Sequence, residues 1–163
     1  MRPNIETFLG CDSDYARASV VLYGAPFDST TSFRPGARFG PSEGLFTREF
    51  YGNCYNALRP DGIMVNQQGS PFYSEDAEAM KRSHKRIVNT FPISRVYQAH
   101  IPTYAAGYWL FGFASKKYHP TDDLDAEAWR SLNLHTRYYT PRLHVGAFWL
   151  PAFLEEMLQE VEK

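Results

Sequence analysis

Two apolar runs near the middle of the chain, residues 94–100 (SRVYQAH) and 108–115 (YWLFGFAS), are separated only by IPTYAAG. Each carries the aromatic and β-branched residues of a strand. Parallel neighbours need a crossover of a dozen residues or more, so a link this short makes the pair antiparallel. Pro102 and Gly107 supply an irregular connection between them. The rest of the chain has to attach to that hairpin.

Upstream, GIMVNQQGSPFY opens with a short strand over 63–67, with Gln67 at its carboxyl end. Ser74 then reads as an N-cap, with Glu75, Asp76 and Glu78 in the first turn and Lys81, Arg82, Lys85 and Arg86 later. That order complements the helix dipole and predicts a helix over 74–90. Leu45, Phe46, Phe50, Cys54, Ala57 and Leu58 have the spacing of an amphipathic helix, and Pro60, Asp61 and Gly62 mark the turn after it. SVVLYG (19–24) reads as a buried strand opening into a long Gly-, Pro- and Ser-rich loop, APFDSTTSFRPGARFGPSEG. Residues 1–18 fit a short helix or a loop equally well. Downstream, HPTDDLDAEAWRSL predicts a short helix. LPAFLEEMLQEVEK predicts an amphipathic one, with Phe153, Leu154, Met157, Leu158 and Val161 on one face. Strand–helix alternation followed by the hairpin gives an α/β sheet with an antiparallel edge. Ligands of such sheets gather beyond the carboxyl ends of the parallel strands, where Gln67 lies.

At 163 residues the chain can bury one core, so one compact domain is expected. With 17 basic against 18 acidic residues, nothing suggests a nucleic-acid partner, which leaves a basic patch or stripe. Aromatics make up 16% of residues, a load that points to a thick core or an oligomer interface. Cys11 and Cys54 have no metal spacing and no disulfide framework. No apolar window approaches a membrane-spanning length, and a reducing cytoplasm is the expected setting.

GPSEGLFTREFYGNCYNAL, GIMVNQQGSP, IPTYAAGYWLFGFASKKYHP and LNLHTRYYTPRLHVGAFWLP, in that order, resemble the C-terminal part of spermidine synthases, the polyamine aminopropyltransferases, over residues 40–163. FLGCDSDYARASVVLYGAPFDSTTSFRPGARFGP is similar instead to the start of agmatinase, a binuclear-manganese ureohydrolase. The two resemblances meet at Gly40–Pro41, a dipeptide both motifs contain. They divide the chain into an agmatinase-like segment, 1–41, and a synthase-like region, 42–163. The implied fold is a partial Rossmann-like, methyltransferase-type sheet with an antiparallel C-terminal hairpin and flanking helices.

The synthase resemblance implies aminopropyl transfer from decarboxylated S-adenosylmethionine, a co-substrate rather than a bound cofactor, to putrescine or a similar diamine. It makes Gln67 the ribose-binding glutamine and Tyr104 the tyrosine lining the diamine pocket. Pro41, Ser42 and Leu45 become the shelter of the adenine, with Ser42 where an alanine is usual. It also implies a Gly-rich loop and an acidic ribose-binding residue upstream; neither precedes residue 40, and no G-x-G-x-x-G occurs. The family's DxxDP-x-GP segment, aligned back from Gly40–Pro41, puts Arg34 at the catalytic aspartate, Ala37 at the second and Arg38 at the proline. A cation cannot accept the amine's proton. Asp28, at the end of the 19–24 strand, is the remaining candidate.

The expected outcome is a synthase-related chain with little or no activity alone. It would act as a homo-oligomer, beside another polyamine-pathway chain, or as a non-catalytic oligomerising module. An agmatinase-like hydrolase is the least favoured alternative. Its manganese site needs a histidine–aspartate constellation that no DxHxD-like cluster supplies, so no metal is expected. Trp109, Phe111, Phe113, Trp149 and the Tyr138–Tyr139 pair read as core or subunit contacts, and His135 and His144 as structural. Asp122, Asp123 and Asp125 read as a solvated helix start.

Overall fold

The computed structural model of the chain describes residues 46–104 and 106–162. Its elements run α1 (Arg48–Ala57), β1 (Ile63–Gly69), α2 (Ser74–Val88), β2 (Ile93–His100), β3 (Tyr108–Ser115), α3 (Ala126–Ser131), α4 (Pro141–Ala147) and α5 (Ala152–Glu162). The strands form one sheet in the order β1-β3-β2, with β3 antiparallel to both neighbours. The hairpin demanded by the short link is present, in register from Ile93↔Ser115 to His100↔Tyr108. β1 and β2 therefore run the same way, connected through α2. The sequence 19–24, read above as a further strand, lies outside the described residues.

One expectation is corrected by the topology. The hairpin predicts an antiparallel strand at the sheet edge, whereas β3 lies between the other two. The cause is burial on both faces: Trp109, Leu110, Phe113, Ala114 and Ser115 are all buried. A strand apolar on both sides is excluded from an edge, while β1 with Asn66 and Gln67, and β2 with Arg95 and His100, tolerate one.

α2 covers one face. Ala77, Met80, Ser83, His84 and Ile87 recur at three- and four-residue spacing and are all buried, the stripe that seats a helix on a sheet. Under its C-terminal half Tyr51, Met64, Ile87, Phe91 and Ala114 form one core cluster. Under its N-terminal half Met80, Val96, Leu110, Leu154 and Leu158 form another, which docks α5. Polar contacts reinforce that docking: His84 Nε2 lies 2.7 Å from Glu162 Oε1, and Lys81 Nζ 3.3 Å from Glu160 Oε2. On the other face Tyr97 stacks on Phe111 with centroids 5.3 Å apart, and Phe148, the C-cap of α4, meets Tyr97 at 5.2 Å with planes tilted by 47°.

Local starts differ from the sequence reading in three places. The helix expected from residue 45 begins at Arg48, because Thr47 caps it by accepting from the Phe50 amide at 3.0 Å. Ser74 is the first residue of α2; Tyr73 is the N-cap and contributes no side-chain bond. The sequence offers no helix over 141–147, yet Thr140 caps α4 there and Pro141 opens it. Asp125 does start a helix, capping α3 through the Ala128 amide at 2.8 Å.

Two outcomes test this packing. Leu154 is fully buried, so Leu154→Ala should cost about 2–5 kcal/mol in urea unfolding, and a loss under about 0.5 kcal/mol would mean that α5 is not docked. Burial pushes the phenols of Tyr51 and Tyr97 up to about 12 from an ordinary 10.0. The folded chain thus holds these protons more tightly than the unfolded one, so stability is full below pH ~10 and falls as pH rises through ~12. Tyr97→Phe should flatten that alkaline loss; an unchanged slope would place the Tyr97 phenol in water.

Candidate functional site

Because β1 and β2 run the same way, their carboxyl ends and the start of β3 share one end of the sheet. Gly69 faces Leu110 and His100 faces Tyr108. Gln67 stands at that end of β1, opposite Phe111. Tyr104 stands in the link between β2 and β3, a turn closed by three backbone bonds. Ile101 N donates to Gly107 O (2.7 Å), Tyr104 N to Ile101 O (3.0 Å) and Gly107 N to Tyr104 O (2.9 Å).

The two sequence candidates meet there. Gln67 Nε2 donates to the Tyr104 hydroxyl at 3.4 Å, at the long end for such a bond. The Tyr104 ring stacks on Trp109 with centroids 4.2 Å apart and planes at 27°. Trp109 is 1% exposed, and its Nε1–H, like the Tyr108 hydroxyl, is buried without a partner. Unpaired buried donors mark a place where water or a ligand completes the bonding. A carboxamide, a phenol and a stacked π-wall are suited to holding a cationic or hydroxyl-bearing small molecule.

On its other side Gln67 borders a cleft of about 170 Å³ lined also by Phe46, Gln68, Ala79, Arg82, Ser83 and Arg86. Two of these lining residues are joined, the Arg86 guanidinium donating to the Phe46 carbonyl. Behind it Tyr51 and Ser83 share a 2.6 Å hydrogen bond, and Asn66 Nδ2 donates to both, at 3.5 and 3.4 Å. Burial raises the Tyr51 phenol, against the opposing pull of the Ser83 bond. Gln68 is 7% exposed, and neither amide atom has a partner.

A larger apolar cavity, about 290 Å³, lies farther along the sheet between Val65, Tyr97 and Phe113 on one side and Leu143 of α4 and its C-cap Phe148 on the other. His144 also borders it, but both ring nitrogens are engaged. Nε2 lies 2.8 Å from the Pro120 carbonyl, which only accepts, so Nε2 carries the proton and Nδ1 accepts from the Tyr139 hydroxyl at 3.1 Å. His144 therefore ties α4 to the loop after β3.

Of the residues singled out in the sequence, the structure brings Gln67 and Tyr104 together. Asp28, Pro41, Ser42 and Leu45 lie outside the described residues. Trp109 was read only as core; it is core, and it also backs Tyr104. Its place in the sequence, five residues past Tyr104 on the returning strand, carries that second role only once the turn geometry is known. Among the described residues no three His, Cys, Asp or Glu side chains gather as a metal group would require, and no helix is long and apolar enough to cross a membrane.

The described residues form a mixed α/β protein with a polar–aromatic cluster at its strand ends. The spermine/spermidine synthase domain model matches residues 27–125, and the chain belongs to that family. The match takes in Asp28 and part of the stretch that resembles agmatinase. Among curated relatives, a polyamine aminopropyltransferase of Lachnospira eligens is 63% identical over 125 residues, covering 77% of this chain and 44% of that protein. One from Clostridium beijerinckii is 66% identical over 120 residues, covering 74% and 42%. The chain thus spans less than half the length of these relatives. Among solved structures, the spermidine synthase from Thermotoga maritima superposes with a TM-score of 0.68 at 40% identity, over 74% of this chain and 41% of that one. A spermidine synthase in complex with the transition-state analogue AdoDATO superposes at 0.66, also at 40% identity, over 71% and 40%.

Proposed function

We propose that this chain carries the diamine-side wall of a spermidine synthase-type aminopropyltransferase, with Gln67 and Tyr104 as substrate-binding residues and Trp109 as the floor beneath Tyr104. The observation that supports this most is the Gln67–Tyr104 contact at the shared strand end, backed by an indole whose N–H is unpaired. The reaction so served joins a diamine nitrogen to the carbon beside the sulfonium of decarboxylated S-adenosylmethionine. The C–N bond forms as the C–S bond breaks, methylthioadenosine leaves, and the new ammonium gives up a proton. Catalysis of that step needs alignment of the two reactants and a base for the amine.

The wall supplies alignment. A carboxamide and an indole do not take up a proton from an amine, so the base has to be a carboxylate brought from elsewhere. Asp28 is the candidate in this chain, and Pro41, Ser42 and Leu45 are proposed to shelter the nucleoside. In this reading the chain alone binds substrate-like ligands and turns them over weakly or not at all, working as a homo-oligomer or with a second polyamine-pathway chain. The remaining sheet is proposed to be Rossmann-like, and the stretch 7–41 to share ancestry with ureohydrolases. A second reading, a non-catalytic oligomerising module, is favoured by the exposure of Trp149 (74%) and Tyr138 (63%).

Calorimetric titration of the purified chain with methylthioadenosine and with putrescine separates the two. Saturable binding that Gln67→Ala or Tyr104→Ala weakens by about tenfold supports the transferase wall. A folded chain that binds neither, yet sediments as a stable oligomer, favours the module.

A further inference from the structure

Among the described residues two glycines have positive φ, Gly69 at 91° and Gly107 at 65°. Gly69 closely follows Gln67 and Gly107 closely follows Tyr104, so the two bracket the candidate site. Neither is there for want of room. A Cβ on Gly107 would meet nothing within 4 Å, and one on Gly69 would meet the Asp76 side chain at 3.5 Å, an ordinary contact. What glycine supplies at both places is the left-handed backbone that other L-residues rarely adopt.

Further irregularity gathers at the same spot. β1 pairs one-to-one with β3 as far as Gln67↔Phe111, and the next pair is Gly69↔Leu110, so Gln68 is an extra residue in the ladder. Such a bulge bends the strand and re-aims a neighbouring side chain. Here it also leaves the Gln68 carboxamide buried and unpaired. Across the gap, the amide and carbonyl of Gly107 both bond back into the turn that carries Tyr104. Glycine adopts such backbone without steric cost, whereas a side chain at either place would push the chain toward another path. Both arms end on one contact, Gln67 Nε2 to the Tyr104 hydroxyl.

We propose that Gly69 and Gly107 are positioning residues of the site. The left-handed backbone at each sets the direction in which Gln67 and Tyr104 leave the sheet, and hence the separation at which carboxamide and phenol face a ligand. That the ligand is a diamine or a nucleoside rests on the aminopropyltransferase reading; the geometry stands without it.

The test uses the full chain and the variants Gly107→Ala, Gly69→Ala and Gly107→Asn. Two quantities are read: the side-chain amide proton–nitrogen resonance of Gln67 without ligand, assigned by its loss in Gln67→Ala, and the calorimetric affinity for methylthioadenosine and putrescine. Each alanine variant should displace the Gln67 resonance and weaken binding about tenfold, while asparagine, which tolerates left-handed backbone, restores both at position 107. A merely structural role would lower the melting temperature and leave the Gln67 resonance in place, and that result overturns the proposal. So does an asparagine variant no better than the alanine one. Should Gly107→Ala unfold, Gly107→Asn still decides: the parent's Gln67 resonance supports the proposal and a displaced one overturns it. A parent chain that binds neither ligand, with a Gln67 resonance that moves in alanine and returns in asparagine, keeps the positioning role and removes the aminopropyltransferase reading.

Discussion

The double-sided burial of β3 is the constraint from which the described architecture follows. A two-stranded hairpin is at best marginal in water, and β3 carries too much apolar surface to be one of its solvent-facing members. Trp109, Leu110 and Phe113 are buried, and satisfying them requires a strand on each edge and a layer on each face. β1 and β2 supply the edges. α2 and α5 supply one layer through Met80, Leu154 and Leu158, and the aromatic contacts of Phe148 supply part of the other. Because β3 is antiparallel to both neighbours, those neighbours must point the same way. Their carboxyl ends then fall together, which is how Gln67 and Tyr104, far apart in sequence, come within hydrogen-bonding distance.

How much of this could be read from the residues depends on whether the deciding physics was local. α2 was legible almost to its ends, because its apolar stripe and its order of charges are properties of the helix itself. Its cap was not: Ser74 has the right chemistry, but the chain turns one residue earlier, at Tyr73. The antiparallel hairpin was dictated by the length of its link, whereas the position of β3 in the sheet depended on what lay across from it. The unbroken apolar run WLF–FA did carry that information, since an edge strand would alternate. α4 was missed although Thr140–Pro141 is a sound helix start; the tyrosines and histidines around it have weak helix preference and masked the cap.

The site divides along the same line. Gln67 and Tyr104 are candidates by resemblance, and the strand-end argument independently puts Gln67 where ligands of such sheets gather. Trp109 could be read only as core, because an aromatic residue in a buried strand has no reason in its own neighbourhood to do more. Its second role arises from the turn between β2 and β3, which folds Tyr104 back onto the indole at 4.2 Å. The unpaired Gln68 amide likewise follows from a bulge, a two-strand property that one strand's sequence does not display.

Binding and chemistry are separable in such a site. On the proposed reading, the groups assembled at the strand ends orient the ligands, and the amine's proton goes to a separate base. His144, at the larger cavity farther along the sheet, is committed at both nitrogens, to Pro120 and to Tyr139. Freeing it would leave the carbonyl of the buried Pro120 unpaired, a cost of about 1–3 kcal/mol. His84 is tied to Glu162 and serves the docking of α5. On the proposed reading the described residues supply a recognition wall shaped by left-handed backbone at Gly69 and Gly107, and the proton transfer falls to a carboxylate that meets this wall from outside it.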